Sequence, residues 1–197
     1  MIEPVKNWHD LHEIERYLRS RFDYRYYMIW QLGKHTLLRA SDVLPLKYRQ
    51  IFNDDGAVRP YIFTKDRKTR KFNTLYLSGV KDDLIRYQYW LKHHGINSVY
   101  LFPTVHNSSN QYGKCQKGYI SRQSFYRAVK ITGSDLNIKH LGTHSMRKTG
   151  AYLTYKQTGN LALVMKLLNH SSEAMTLRYL GLPNKLVSKT LADVKMD

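Results

Sequence analysis

The sequence predicts a mainly helical α+β domain carrying a small antiparallel β-sheet. Three observations lead there. Apolar residues recur at helical spacing over most of the chain, as in Val80, Leu84, Tyr87 and Leu91. The period switches to that of strands around Tyr61–Thr64 and Phe72–Ser78, where aromatic and β-branched residues gather. No Pro/Gly/Ser-rich linker divides the 197 residues, so a single domain over residues 1–197 is expected.

The elements follow in order. A first helix is expected over about 10–20, with Asp10 and Glu13 as a capping-box variant and Leu11, Ile14 and Leu18 on one face. An aromatic-rich helix over 23–32 is expected to stop at Gly33, and a short helix covers 41–47 with Pro45 in its first turn. Asn53-Asp-Asp-Gly56 reads as a turn. The two strand-like segments then form a hairpin whose tip is the densest basic cluster, Lys65-Asp-Arg-Lys-Thr-Arg-Lys71.

A helix over 79–94 has Asp82 and Asp83 in its first turn, His93 and His94 in its last, and Gly95 after it. Residues 103–118, rich in Asn, Ser, Gly and Lys, read as a loop. Ser121 opens a further helix that Gly133 is expected to end. The last third reads as helices at 145–158, 160–168 and 172–180, followed after Pro183 by a tail helix at 184–193.

Charge narrows the function. With 32 Lys+Arg against 15 Asp+Glu, the formal net charge is +17 at neutral pH. Such self-repulsion is relieved by a polyanion, and nucleic acid is the usual one. A membrane surface would call for one basic amphipathic helix, whereas the basic residues here run through the whole chain. The single cysteine, Cys115, excludes an intramolecular disulfide framework and a four-cysteine zinc cage. No apolar run approaches the roughly 20 residues that span a bilayer, and the first residues lack a signal-peptide core. A soluble, cytoplasmic protein without a membrane partner is expected.

Polar chemistry concentrates late in the chain. His144-Ser-Met-Arg147 is followed by Leu168-Asn-His170-Ser-Ser172 and then by Thr176-Leu-Arg-Tyr179. Upstream lie Leu38-Arg39-Ala-Ser-Asp42-Val-Leu-Pro-Leu46 and the basic hairpin. Taken singly, each residue has an ordinary reading. Tyr179 is one of 16 tyrosines, and Arg39 and Arg147 could be surface salt-bridge partners. His140 and His144 have metal-ligand spacing, but Gly142 between them and the missing glutamate argue against a zinc-binding helix.

Taken together, the segments resemble the catalytic domain of the tyrosine recombinases, the phage integrase family. That family carries an arginine segment, a lysine on a β-hairpin, an H-x-x-R pair, a second histidine and a T-x-x-Y, in this order. The match runs over about residues 35–182. It departs at Leu37, where the family usually has glycine, at Asp42 (usually glutamate) and at Lys148 (usually histidine).

The resemblance implies a site-specific DNA recombinase that cleaves and rejoins double-stranded DNA through a 3′-phosphotyrosine, without metal or cofactor. Its catalytic set would be Arg39, Lys68, His144, Arg147, His170 and Tyr179. The neighbours Lys65, Arg67, Arg70 and Lys71 would contact DNA, and any of the hairpin lysines could compete with Lys68 for its role. A homotetramer on paired sites is implied, with residues 183–197 docking into a neighbouring protomer or packing on their own domain. The family's usual N-terminal DNA-clamping domain has no counterpart in these residues, so an accessory DNA-binding protein is a further possible partner. A bacterial or phage origin and association with the nucleoid fit the family. Two rivals remain: a type IB topoisomerase-like activity, and a non-catalytic DNA-binding protein on the same scaffold.

Overall fold

Two glycines decide how the centre of the molecule packs. In the computed structural model, which describes residues 2–67, 70–105 and 115–182, helix α2 (Tyr24–Thr36) lies directly against helix α7 (Ser145–Thr158). A Cβ added at Gly150 would stand 1.8 Å from the carbonyl oxygen of Lys34. At Gly33 it would stand 2.5 Å from the Met146 side chain. Gly33 therefore does not end α2 as the sequence predicts. Its propensity penalty of about 1 kcal/mol is outweighed by a helix whose Met28, Ile29, Trp30 and Leu32 are all buried.

The two sites should respond unequally to an added methyl. At Gly150 the obstacle is backbone, which cannot turn aside. Gly150→Ala is expected to lower stability by about 3 kcal/mol, the upper end of ordinary overpacking, read as a fall in the urea midpoint. Gly33→Ala meets a flexible methionine and should lower it by less than half as much.

The chain begins with α1 (Trp8–Tyr17), capped by the Asn7 side chain, which accepts from the His9 amide. Asp10 lies inside the first turn, so the cap predicted at Asp10 falls three residues too late. The chain continues through one wide π-type turn, Leu18–Phe22, into α2. Leu11, Ile14 and Leu18 are buried together as their spacing predicts. Helix α3 (Ala40–Val43) is shorter than the expected 41–47 and stops before Pro45. Proline offers no amide and clashes with a continuing helix. A second short helix, α4, follows at Tyr48–Ile51.

Strands β1 (Tyr61–Lys65) and β2 (Phe72–Tyr76) form the expected antiparallel hairpin, with Tyr61 opposite Tyr76 and Lys65 opposite Phe72. Ile62 and Leu75 face the core. A 3-10 turn, Ser78–Val80, leads into α5 (Lys81–His93), close to its predicted bounds.

The stretch read as a loop is not all loop. Its ends form β3 (Pro103–Val105) and β4 (Cys115–Tyr119), a second two-stranded antiparallel sheet with an irregular register. Neither strand shows apolar alternation in sequence; backbone pairing alone defines them. Helix α6 (Arg122–Asp135), capped by Ser121, runs past the buried Gly133. Helices α8 (Leu161–Leu168) and α9 (Glu173–Tyr179) begin at Asn160 and Ser172, whose side chains accept from Leu163 and Met175 amides. The predicted tail helix lies outside the described residues.

The main core joins α1, α2, α5 and α6 to the first hairpin. A smaller cluster of Leu37, Ala151, Val164, Leu168 and Leu180 fastens α8 and α9 to the α2–α7 pair. That second cluster positions the residues of interest.

Candidate active site

The arrangement starts at Leu37. It ends α2 in the left-handed region, φ 57°, where glycine is favoured and a leucine carries strain of about 1–3 kcal/mol. Its side chain is 2% exposed within the second cluster, so burial offsets the strain. The reversal there places Arg39 in extended backbone at the start of α3.

The Arg39 guanidinium pairs with the Asp66 carboxylate at the hairpin tip. Asp66 is buried, and no sequence pattern marks it. A second tie runs from the Arg67 amide to Oδ1 of Asp42, 3.2 Å. Asp42 is also buried, with Oδ2 unsatisfied among the described residues. Burial raises its pKa, opposed by the Arg67 amide, while Asp66 adds to the rise and Arg39 and Arg147 oppose it. The hairpin is thus tied to α3 beside the arginine.

Helix α7 supplies the H-x-x-R pair. His144 is the residue before its first turn and is exposed. Arg147 is 4% exposed and donates from Nη2 to the Leu168 carbonyl at 2.9 Å. Its Nε has no partner among the described residues. Burial lowers its pKa, with Tyr179, Asp66 and Asp42 acting against the fall, yet a guanidinium keeps its charge in any such setting.

The other two residues come from the end of α8 and from α9. Asn169 ends α8 in the left-handed region, φ 55°, and turns the chain so that His170 faces α9. His170 Nδ1 lies 3.1 Å from the Thr176 hydroxyl, which itself donates to the Ser172 carbonyl at 3.0 Å. Thr176 must then accept, which assigns the proton to Nδ1 and leaves a lone pair on Nε2. Burial, then Arg147 and Arg39, push the His170 pKa from 6.5 down to about 4. The imidazole is neutral near pH 7.

Tyr179, the last residue of α9, meets His170 edge to face, 5.3 Å between ring centres at 86°. Lys148 Nζ lies 5.0 Å from the tyrosine ring centre. The lysine that replaces the family's usual histidine therefore packs on the tyrosine itself, while its Nζ also donates to the Ile2 carbonyl. The Tyr179 hydroxyl is buried without a hydrogen-bond partner among the described residues. Burial raises its pKa, and Arg147 and Arg39 pull the other way.

Five of the six expected residues, Arg39, His144, Arg147, His170 and Tyr179, therefore converge, linked by contacts, a shared cleft or mutual electrostatic influence. Lys68 lies outside the described residues. Lys65, Arg67, Arg70 and Lys71 are all exposed on the hairpin beside them. A cleft of about 850 Å³ is lined by Arg39, Ser41, Arg67, Arg122, Tyr126 and His144, among others.

Arg122 and Tyr126, from the first turns of α6, were not singled out by sequence. One signal was present: Arg122 opens the helix just after its Ser121 cap. A cation there opposes the helix dipole, and a phosphate facing that end would relieve the conflict.

The His170 environment carries a prediction. The free protein's His170 should titrate near 4 by NMR of its imidazole carbons. Because the unfolded chain binds that proton nearer 6.5, the group's contribution to stability is full above about 6.5 and is lost as pH falls through about 4. A bound phosphate adds negative charge beside the ring, so duplex DNA should move the titration upward.

The fold is that of the catalytic domain of tyrosine recombinases. The chain belongs to the phage integrase family, whose model matches residues 7–184. It is 28% identical over 183 residues to the probable integrase/recombinase YoeC of Bacillus subtilis (strain 168), covering 92% of this chain and 91% of that protein. Among solved structures, XerA recombinase superposes with a TM-score of 0.70 at 17% identity, over 99% of this chain and 67% of that one. The post-cleavage complex of XerH recombinase with palindromic difH substrate gives 0.64 at 16% identity, over 98% of this chain. The chain spans about half, 54%, of the XerH chain. No helix among the described residues is long and apolar enough to cross a membrane.

Proposed function

We propose that the protein is a site-specific recombinase that cuts and rejoins double-stranded DNA through a 3′-phosphotyrosine. The observation that carries this is the pair of unsatisfied buried groups at the centre, Arg147 Nε and the Tyr179 hydroxyl. Each left so is worth about 1–3 kcal/mol of destabilisation. A phosphodiester entering from the cleft would satisfy the guanidinium with a non-bridging oxygen and offer the tyrosine its electrophile.

In this reading Arg39 exchanges Asp66 for the phosphate and, with Arg147, neutralises charge growing on the phosphorane oxygens. His144 adds a hydrogen bond from the cleft wall. His170, neutral with its Nε2 lone pair free, receives the Tyr179 proton as the phenolic oxygen attacks phosphorus. The bond from phosphorus to the 5′-oxygen breaks, and Lys68 protonates that oxygen as it leaves. The new Tyr179 ester conserves the bond energy, so attack by a second 5′-hydroxyl restores the backbone. Lys65, Arg67, Arg70 and Lys71 hold flanking phosphates.

Assembly as a tetramer on paired sites, use of an accessory DNA-binding protein, and a cytoplasmic, nucleoid-associated life in a bacterium or phage belong to the same proposal. Support comes from the family and from a structural neighbour, XerH recombinase, solved bound to its difH substrate. The test is exchange between two duplexes recovered by selection from a random pool. Joined products that need both sites support recombination. Relaxation of a supercoiled plasmid of any sequence, with no joined product, would make the activity that of a topoisomerase.

A further inference from the structure

The outer face of the β1–β2 hairpin carries four exposed aromatic rings. Tyr61, Phe63, Phe72 and Tyr76 are 48%, 70%, 78% and 61% exposed. The register puts all four on the same side of the two strands, opposite Ile62 and Leu75, which face the core. Tyr61 and Phe63 meet edge to face at 5.5 Å, and Lys65 Nζ sits 5.4 Å from the Phe72 ring centre. Scattered exposed apolar residues are ordinary; a contiguous aromatic face marks a contact surface.

Charge selects what it contacts. Lys65, Arg67, Arg70 and Lys71 rim the face, all exposed. The carboxylates of Asp66 and Asp42 beside it are buried, the first paired with Arg39 and the second accepting from the Arg67 amide. A second copy of a chain with charge +17 is repelled from such a surface. Aromatic rings interleaved with cations suit unpaired nucleotides, whose bases stack while their phosphates pair with the rim.

Position supports the same occupant. A hollow of about 360 Å³ beside β1 is lined by Phe63, Lys65, Arg67, Phe72, Pro45 and Leu46, among others. Arg67 also lines the cleft that holds Arg39 and His144. The two depressions thus share one arginine. A strand with its scissile phosphate in the cleft would reach the hollow with a neighbouring nucleotide.

We propose that the Phe63–Phe72 face is a stacking platform for unpaired bases next to the cleavage point. It rests on the reading that this chain binds DNA at the cleft. It would hold the end of a cut strand out of its duplex before joining, which neither the duplex-binding rim nor the catalytic set does.

The test compares the full chain with Phe63→Thr/Phe72→Thr, a change that keeps β propensity at exposed positions. Affinity is measured for a duplex and for the same duplex with three central unpaired bases, one of them 2-aminopurine. The wild type should bind the interrupted duplex about tenfold more tightly and quench the 2-aminopurine, a usual size for one stacked base. The double variant should lose both effects while its duplex affinity stays within about twofold. Phe63→Tyr/Phe72→Tyr, which keeps the rings, should retain both, and this guards against a folding artefact.

Equal affinity of the wild type for the two DNAs overturns the proposal, as does a preference that survives in the threonine variant. Self-association of the wild type that the threonine variant abolishes overturns it in favour of a contact between copies. Failure of the wild type to bind either DNA overturns the underlying reading as well, and is thereby distinguished from the other outcomes.

Discussion

Tyr179→Phe should abolish strand cleavage and joining completely while leaving the protein as stable as before, or up to about 3 kcal/mol more stable. The two halves of this expectation have different origins. Cleavage disappears because phenylalanine has no oxygen to form the ester, and no neighbouring group replaces it. Stability does not suffer because the hydroxyl is buried without a partner among the described residues, so its removal breaks no hydrogen bond and relieves a desolvated polar group. The ring itself, packed on His170 and beneath Lys148, is kept. A tyrosine serving only structure would show the reverse pattern. Parallel urea melts and a strand-exchange assay on the two proteins decide between these patterns.

Arg147→Ala should reduce cleavage by about 10²–10³-fold, the usual loss when one preorganised donor to a developing oxyanion is removed. Duplex affinity should change only a few-fold, because many other cations of this +17 chain hold the DNA. The Leu168 carbonyl also loses its donor, which lowers stability by about 1 kcal/mol. Arg147→Lys separates the roles: it restores the charge without the planar fork, so affinity should recover while cleavage recovers only in part. Equal loss of binding and cleavage in the alanine variant would make Arg147 a binding residue. Single-turnover cleavage and salt-dependent binding isotherms provide the two numbers.

What could be read from sequence, and what could not, follows the range of the interactions involved. The helix start at Ser121, those near 160 and 172, and the antiparallel hairpin depend on near neighbours, and they stand where the sequence places them. Gly33 shows the opposite case. Its local signal says stop, yet α2 continues to Thr36 because its buried face outweighs the glycine, and a side chain at residue 33 would collide with Met146, far along the chain.

Strands β3 and β4 are not legible in the sequence because their pairing leaves no alternating apolar face. In the candidate site, the order of Arg39, His144, Arg147, His170 and Tyr179 was legible through the resemblance to a family. Asp66 and Arg122 were not, and Lys148 showed only as a departure from the family's pattern. Their importance comes from where the chain folds them: Asp66 onto Arg39, Arg122 into the cleft, Lys148 over Tyr179. Leu37 is instructive in both respects. The resemblance marks residue 37 as a position where the family usually has glycine, but only the structure shows that the backbone there is left-handed and the leucine buried.

The central claim is that Tyr179 becomes joined to a DNA 3′-phosphate. The most direct measurement incubates the full chain, without added metal, with duplexes nicked close to the cleavage position, so that the cut strand's short end diffuses away and the ester accumulates. The adduct is isolated under denaturing conditions, digested with protease and nuclease, and the modified peptide sequenced by mass spectrometry. The account predicts a nucleoside 3′-phosphate on Tyr179 and no adduct from Tyr179→Phe. A nucleotide on another tyrosine, or tight salt-sensitive binding with no adduct from any duplex, would contradict it.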